Sequence, residues 1–352
     1  MIAMAGRADS VLIGGHEIGP GQRRTLQLPL PRLYTHADTS LPVEVIRGKK
    51  PGPRLFVSAA IHGDELNGLE IIRRLLASRS LNRLRGTLVC VPMVNVYGCL
   101  THSRYLPDGR DLNRAFPGSE TGSLASRLAW LFMDEIVRGS DYGIDLHTGS
   151  RHRSNLPQIR AQLDVATTTE LAHAFGAPVV LNSNLRDGSL RMAAQDMQVP
   201  ILLYEAGEAL RFDELSIRAG VRGIIRVMRK VGMLPASRVR HQYHPLQAMK
   251  STWVRVPASG VVRHLRALGA SVRKGERLAL VSDPLGQSEE EVCSPLDGII
   301  IGACRLPLLH EGEALYHIAD LSESDEGESV VDAFQDYHDE QVADEWGETL
   351  SY

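Results

Sequence analysis

The chain has 352 residues, 43% of them hydrophobic, with 39 Lys and Arg against 42 Asp and Glu, a formal net charge of −3. That length suits about two domains with a substantial core, and no apolar run approaches the roughly 20 residues that a membrane helix needs. The near-balance of charge is uneven: residues 322–352 carry 11 acidic residues and no Lys or Arg, which leaves 39 basic against 31 acidic residues, a net of +8, in the body before them. Such asymmetry points to a charged partner or an interaction tail. The basic residues are 34 Arg and only 5 Lys. Codon preference accounts for the ratio, so each Arg position needs its own argument. The N-terminus shows no charged start followed by an apolar stretch, and the four cysteines form no C-x-x-C. Both features read as a cytoplasmic protein with free thiols.

In chain order, residues 25–30 and 43–47 are strand-like, and a Lys, Pro and Gly loop follows at 49–53. Residues 54–61 form an apolar, β-rich run. Residues 65–77 repeat Leu66, Leu69, Ile72 and Leu76 at helical spacing, and 87–94 is a second apolar run. A helix is expected over 124–137, a strand over 142–146, a helix over 167–175, strands over 178–181 and 201–204, and an amphipathic helix over 212–231. Continuous apolar strands separated by helices indicate an α/β fold, with a mixed, mostly parallel sheet covered by helices on both faces.

The character changes near residue 235. From 252 to 319 the segments are short, β-rich and punctuated by Gly, and the form P-x-x-G followed by two β-branched residues occurs at Pro257 and again at Pro295. Two related hairpins in a small all-β domain would produce this echo. The expected division is 1–235 for an α/β domain, 236–321 for a β-rich domain and 322–352 for an acidic, disordered tail. Within that tail Val331, Phe334, His338 and Val342 also fall at helical spacing.

Chemistry concentrates at the predicted strand ends. His62-Gly63-Asp64-Glu65 follows the run 54–61, with the His and Glu three apart and so on one face of a first helical turn. Open α/β sheets place their sites at such carboxyl ends of strands. Taken alone, H-x-x-E is a weak signal. Asp145-Leu146-His147 supplies a second His at another strand end, with an Asp that can hold its far ring nitrogen. His62, Glu65 and His147 together form a His₂Glu set, the three-ligand pattern of a catalytic zinc that keeps a position for water. Arg104, Arg110, Asn113 and Arg114 cluster in one Pro/Gly-punctuated loop, where an Asn-Arg pair can bind a carboxylate. Glu205 follows directly on the strand at 201–204 and can act as a base; Glu208 reads as a helix-start residue.

Four motifs in order make a resemblance specific: H-G-D-E-x-x-G at His62, D-x-N-R-x-F-P-G at Asp111, D-L-H-T-G at Asp145 and Y-E-x-G at Tyr204. Together they resemble the succinylglutamate desuccinylase/aspartoacylase family of zinc hydrolases, related to zinc carboxypeptidases, over about residues 54–319. The resemblance implies one zinc per chain, held by His62, Glu65 and His147. It implies Glu205 as general base and acid, Arg104 as the group that stabilises the oxyanion, with Arg110 as its competitor, and Asn113 with Arg114 on the substrate carboxylate. The β-rich segment is similar to biotinyl/lipoyl-type domains. Its turn at 282–287 reads Ser-Asp-Pro-Leu-Gly-Gln, without the carrier lysine, so it is expected to cover the active-site mouth.

The expected reaction is zinc-assisted hydrolysis of the amide in an N-acylated amino acid or a similar small carboxylate-bearing substrate. The alternatives are a zinc carboxypeptidase acting on peptides and a zinc-binding protein without catalysis. Despite the +8 body, the chain shows no nucleic-acid motif, and its aromatic content of 5% offers no stacking platform. Neither nucleic acid nor membrane is an expected partner. The acidic tail is open to two readings, a solvated solubility tail or a segment folding back over a basic site mouth.

Overall fold

The structure is a computed structural model, and it describes residues 10–236, 243–321 and 327–340. The chain starts with β1 (Val11–Ile13) and β2 (His16–Ile18), then β3 (Arg23–Leu30), β4 (Thr39–Arg47) and β5 (Lys50–Ala59). Helix α1 (Asn67–Ala77) leads to β6 (Arg85–Val91), and α2 (Val96–Leu100) and α3 (Leu124–Phe132) lead to β7 (Tyr142–Gly149). Next come β8 (Arg153–Ala161), α4 (Ala166–Phe175), β9 (Val179–Asn182), α5 (Leu190–Asp196), β10 (Ile201–Glu208) and α6 (Glu214–Lys230). The short strands are β11 (Leu246–Ala248), β12 (Ser251–Arg255), β13 (Gly260–His264), β14 (Ser271–Val272), β15 (Arg277–Ser282), β16 (Glu289–Cys293), β17 (Gly298–Cys304), β18 (Leu308–Leu309) and β19 (Ala314–Asp320), before α7 (Gly327–Glu340).

Two compact units divide the chain: Met1–His147 with Asn184–Leu203 and Gly220–Arg238, and Thr148–Ser183 with Tyr204–Ala219 and Val239–Tyr352. In the first unit the strand order is β7-β5-β6-β4-β3. β5 runs parallel to β6 and to β7, whereas β4 is antiparallel to β6 and β3. Leu55, Phe56 and Val57 of β5 and Leu88, Val89 and Cys90 of β6 are all buried, as a strand covered on both faces requires. The mixed α/β architecture with a mostly parallel central sheet is therefore present as the pattern implies. The expected helix over 124–137 forms as α3 and then widens into a π-type turn at Met133–Val137.

Some local expectations change. β5 starts at Lys50, inside the stretch expected to be a loop, because Lys50 and Arg54 already pair with β6. The buried stripe of α1 is Gly68, Ile71, Ile72 and Leu75, whereas Leu69 and Leu76 stay half-exposed. Gly68 decides that rotation: a Cβ there would lie 2.5 Å from Ala59 Cβ and 2.9 Å from Leu146 Cβ. The helix can approach β5 and β7 only along its glycine.

In the second unit β12, β19, β17 and β8 are neighbours in that order, and β9 and then β11 continue parallel beyond β8. β16-β15-β13-β18 form a separate four-stranded sheet. The β-rich segment thus shares its unit with residues 148–183, since β17 pairs antiparallel with β8 from Gly302↔Asn155 to Cys304↔Arg153. The two echoing glycines open strands in the two different sheets. A Cβ at Gly260 would lie 2.3 Å from the Ser282 carbonyl oxygen, and one at Gly298 would lie 2.1 Å from that of Ala319. Inside the segment whose composition reads as disordered, α7 is a helix, and it buries Val331, Phe334, Tyr337 and His338. The spacing of Val331, Phe334 and His338 marks that face; Val342 lies outside the described residues. Among the described residues, no helix is long and apolar enough to cross a membrane.

Candidate metal centre and active site

β5 ends at Ala59, and Ala60 turns the chain with a positive φ of 54°. Asn95, fully buried, fixes that turn. Its amide N–H donates to the Ala60 carbonyl (2.9 Å), its Oδ1 accepts from Gly98 N–H (2.8 Å) and its Nδ2 donates to the Arg104 carbonyl (3.4 Å). Gly63 then passes so close to α2 that a Cβ would lie 2.0 Å from the Gly98 carbonyl carbon. His62 and Glu65 meet through a turn closed by Glu65 N–H to the His62 carbonyl at 3.1 Å, and α1 begins only at Asn67. The three-residue spacing therefore works in a turn rather than in a helix.

The carboxylate of Glu65 is shared between two imidazoles. His62 Nδ1 lies 2.7 Å from Oε1, and His147 Nδ1 lies 2.7 Å from Oε2. One ligand atom from each of the three buried side chains lies within 4.8 Å of the others. Each imidazole turns its other nitrogen to a carboxylate: His147 Nε2 is 2.8 Å from Asp145 Oδ2, and His62 Nε2 is 3.2 Å from Asp111 Oδ1. Ser58 Oγ donates to Asp145 Oδ1 at 2.8 Å. Carboxylate-backed imidazoles converging on a further carboxylate are the donor chemistry that zinc takes, so these residues fit the implied metal.

Burial acts first on His62, His147, Glu65 and Asp111, and the partners outweigh it. Desolvation pushes His62 and His147 down, but Glu65 with Asp111, and Asp145 with Glu65, lift both above the ordinary histidine value. Burial pushes the Glu65 and Asp111 carboxyls up, and the imidazoles, joined at Asp111 by Arg104, bring both well below the usual carboxylate range.

The loop brings Arg104 to this cluster. Its Nη2 donates to Asp111 Oδ2 at 2.9 Å, and its Nη1 lies 3.3 Å from His62 Nδ1 and 3.5 Å from Glu65 Oε1. Arg110 is not brought there. Its side chain is 63% exposed, and its ion-pair partner is Asp108 at 3.7 Å. Asn113 Oδ1 accepts from Leu190 N–H at 3.0 Å. Arg114 is exposed, with Nη1 donating to the Asn113 carbonyl at 2.5 Å. Gly188 holds this element, since a Cβ there would lie 2.5 Å from the Arg114 carbonyl oxygen.

In the second unit Glu205 Oε2 accepts from Asn155 Nδ2 at 2.5 Å and lies 3.3 Å from Arg160 Nη2. Glu208 is the last residue of β10, not a helix start; Asp213 caps α6, with Oδ1 accepting from Ser216 N–H at 2.7 Å. Asp111, Asn95, Ser58 and Asn155 were not singled out by sequence reasoning, and Arg160 read there as one of three arginines after His147, with Arg151 and Arg153, whose surface placement outweighed an anion contact. Asp111 alone carried a signal, as the first residue of the D-x-N-R element. The β-rich segment adds His317, whose Nε2 is 2.9 Å from Ser251 Oγ. Burial, aided by the charge of Arg160, pushes its pKa down to about 3.

Residues 51–231 match the succinylglutamate desuccinylase/aspartoacylase catalytic domain. The chain belongs to the succinylglutamate desuccinylase/aspartoacylase family. Among its relatives is N-alpha-acetyl-L-2,4-diaminobutyric acid deacetylase of Halomonas elongata, 29% identical over 298 residues that cover 81% of this chain and 86% of the relative. A succinylglutamate desuccinylase/aspartoacylase from Rhodobacter sphaeroides superposes with a TM-score of 0.77 at 23% identity, covering 85% of this chain and 95% of that one. The product-bound ectoine utilization protein EutE (DoeB) of Ruegeria pomeroyi gives 0.76 at 24% identity with the same coverage. These two likenesses establish the family's fold in this chain. The family homologues are deacylases, hydrolases acting on amides.

Proposed function

We propose that the protein is a zinc-dependent deacylase that cleaves the amide of a small N-acylated amino acid. The observation that carries this reading is the cluster of His62, Glu65 and His147, each imidazole backed by its own carboxylate. A zinc ion held by these three side chains would lower the pKa of a water molecule toward about 7 and polarise an acyl carbonyl. Asp145 and Asp111 hold the two imidazoles with their Nδ1 atoms turned to Glu65. Arg104, oriented by Asp111, donates to the acyl oxygen as negative charge develops there. Asn113 and Arg114 bind the substrate carboxylate. Glu205 takes up a proton on a carboxylate oxygen as water adds to the amide, and returns it to the leaving nitrogen. Asn155 Nδ2 donates to that carboxylate and Arg160 lies beside it, which fixes its position.

The name of the Halomonas relative makes an Nα-acetylated diamino acid the first substrate to try. Zinc per chain is measured on the purified protein, and acetyl-, succinyl- and aspartyl-amino acids are compared with short peptides. The expected outcome is one zinc per chain and preference for an acylated amino acid. Glu205→Gln is expected to keep the zinc and to lose about 10²–10⁴-fold in kcat. Preference for peptides, or an active Glu205→Gln enzyme, would overturn the respective assignment.

A further inference from the structure

The first unit has a second concentration of charge, at the other end of its sheet. The metal cluster follows the carboxyl end of β5, whereas Lys50 is the first residue of β5 and Arg85 the first of β6. At about 3.3 Å per residue, Lys50 and Ala59 are separated by roughly 30 Å along the strand. At this amino end three glycines let the backbones close on one another. A Cβ at Gly48 would lie 2.1 Å from the Leu84 carbonyl oxygen, one at Gly52 2.8 Å from Gly86 N, and one at Gly86 2.1 Å from the Pro53 carbonyl oxygen. Cationic side chains surround this glycine seam.

They line a cleft of about 1060 Å³. Its wall includes Lys49, Lys50, Arg79, Arg83, Arg85 and Arg229, and none of these six has a carboxylate partner among the described residues. Two further arginines line it with partners: Arg23 is bound to Glu44, and Arg47 Nη1 reaches the Ile18 carbonyl at 3.4 Å. Among the described residues, no acidic residue lines the cleft, and no aromatic one does. Behind the charges the wall is apolar, with Ile46, Leu81, Leu84 and Leu234.

Like charges gathered in one concavity over a low-dielectric wall repel each other and focus a positive potential into it. An anion relieves that repulsion, and a large charge in a small volume relieves it best. Four of the six unpaired cations are arginines, whose planar forks match phosphate oxygens two at a time. A substrate with one or two carboxylates would leave most of the six unmatched, whereas a chain of three or four phosphates matches them. The volume lies just above the roughly 300–1,000 Å³ typical of small-ligand pockets. Without an aromatic ring in the described lining, the main platform for a nucleobase is missing, and the phosphates are the recognised part.

We propose that this cleft is a binding site for a compact polyphosphate anion, either inorganic polyphosphate or the phosphate chain of a nucleoside triphosphate, separate from the acyl-substrate site. The test is calorimetric titration of the purified full chain with tripolyphosphate, ATP, orthophosphate and a 20-base-pair DNA duplex, each at low and at physiological salt. The variants are Arg83→Glu with Arg85→Glu and, separately, Lys49→Glu with Arg79→Glu. Tripolyphosphate is expected to bind at least about tenfold more tightly than orthophosphate, to weaken with salt, and to weaken about tenfold or more in each double variant. The variants keep the metal residues, so any heat from chelation of zinc persists in them and cancels from the difference. Their unfolding temperature and deacylase rate are expected to stay within about twofold-equivalent limits, the usual range for surface changes. Equal affinity for ATP and tripolyphosphate identifies the phosphate chain alone as the ligand, and tighter ATP binding identifies a nucleotide. No binding up to about 1 mM, equal binding by wild type and both variants, or tighter binding of the duplex with loss in the same variants would each overturn the proposal.

Discussion

The two ends of strand β5 treat charge in opposite ways. At the carboxyl end, Glu65 sits between His62 and His147, and Asp111, Asp145 and Arg104 close the ring of opposite charges. At the amino end eight cations line one cleft, six of them without a carboxylate partner, and no acid lines it among the described residues. Burial explains the difference. A charge taken out of water needs a partner within the protein, whereas the exposed cations keep their water and stay available. The first arrangement is pre-organised around its own counter-charges; the second has its electrostatic attraction unspent.

Removing the shared carboxylate breaks the first arrangement most severely. Glu65→Gln is expected to abolish zinc retention and to lower kcat/KM by about 10³-fold or more, since several kcal/mol of transition-state stabilisation go with the metal. Metal analysis alongside the assay checks it, and a fully loaded Glu65→Gln protein would refute the ligand assignment. Loosening a supporting carboxylate costs less. Asp145→Asn is expected to weaken zinc binding by about 10–100-fold, read by competition with a chromogenic chelator.

Acid stability carries the comparison to a buried imidazole that has no acid partner among the described residues. His317 titrates near 3 in the folded chain, far below the ordinary value of about 6.5. Its neutral form therefore stabilises the fold above pH 6.5, and that contribution is lost as pH falls from there toward 3. The wild type is expected to lose up to about 1.4 kcal/mol per pH unit over this window relative to His317→Gln. Unfolding temperatures of both between pH 7 and 4 measure the difference; parallel curves would exclude it. The smallest effect separates the two arginines of one loop. Arg110→Ala is expected to change kcat/KM by no more than about twofold, whereas Arg104→Ala reduces it strongly.

His62, Glu65 and His147 were legible in the sequence because each lies just beyond an apolar run, next to residues that form a motif with it. Asp111 was less so, since its pairing with His62 spans 49 residues and exists only in the folded chain. β8 was missed altogether. Pro157 interrupts its pattern, and Asn155 and Gln158 look like loop residues, yet both are buried and hydrogen-bonded, Gln158 Nε2 donating to the Ile301 carbonyl at 3.0 Å. Arg160 accordingly read as surface, although it flanks Glu205. The glycines at 63 and 68 were visible as motif letters, but the backbone and side chains they admit were not. The mostly parallel sheet was legible because its strands are apolar on both faces.

The helix α7 changes how the acidic C-terminal segment has to be handled experimentally. Asp332, Asp336 and Asp339 stand on its exposed face, and Asp339 accepts from Arg218 Nη2 at 3.0 Å. Its opposite face places Phe334 and Tyr337 against Tyr243, with ring centroids 5.7 and 6.2 Å away. Shortening the chain after Leu321 would strip aromatic cover from Tyr243 along with the charges, leaving a sticky scar that invites aggregation. The charge of this segment is better neutralised in place, by Asp→Asn changes along the wet side of the helix, so that electrostatics and solubility are not altered in one cut.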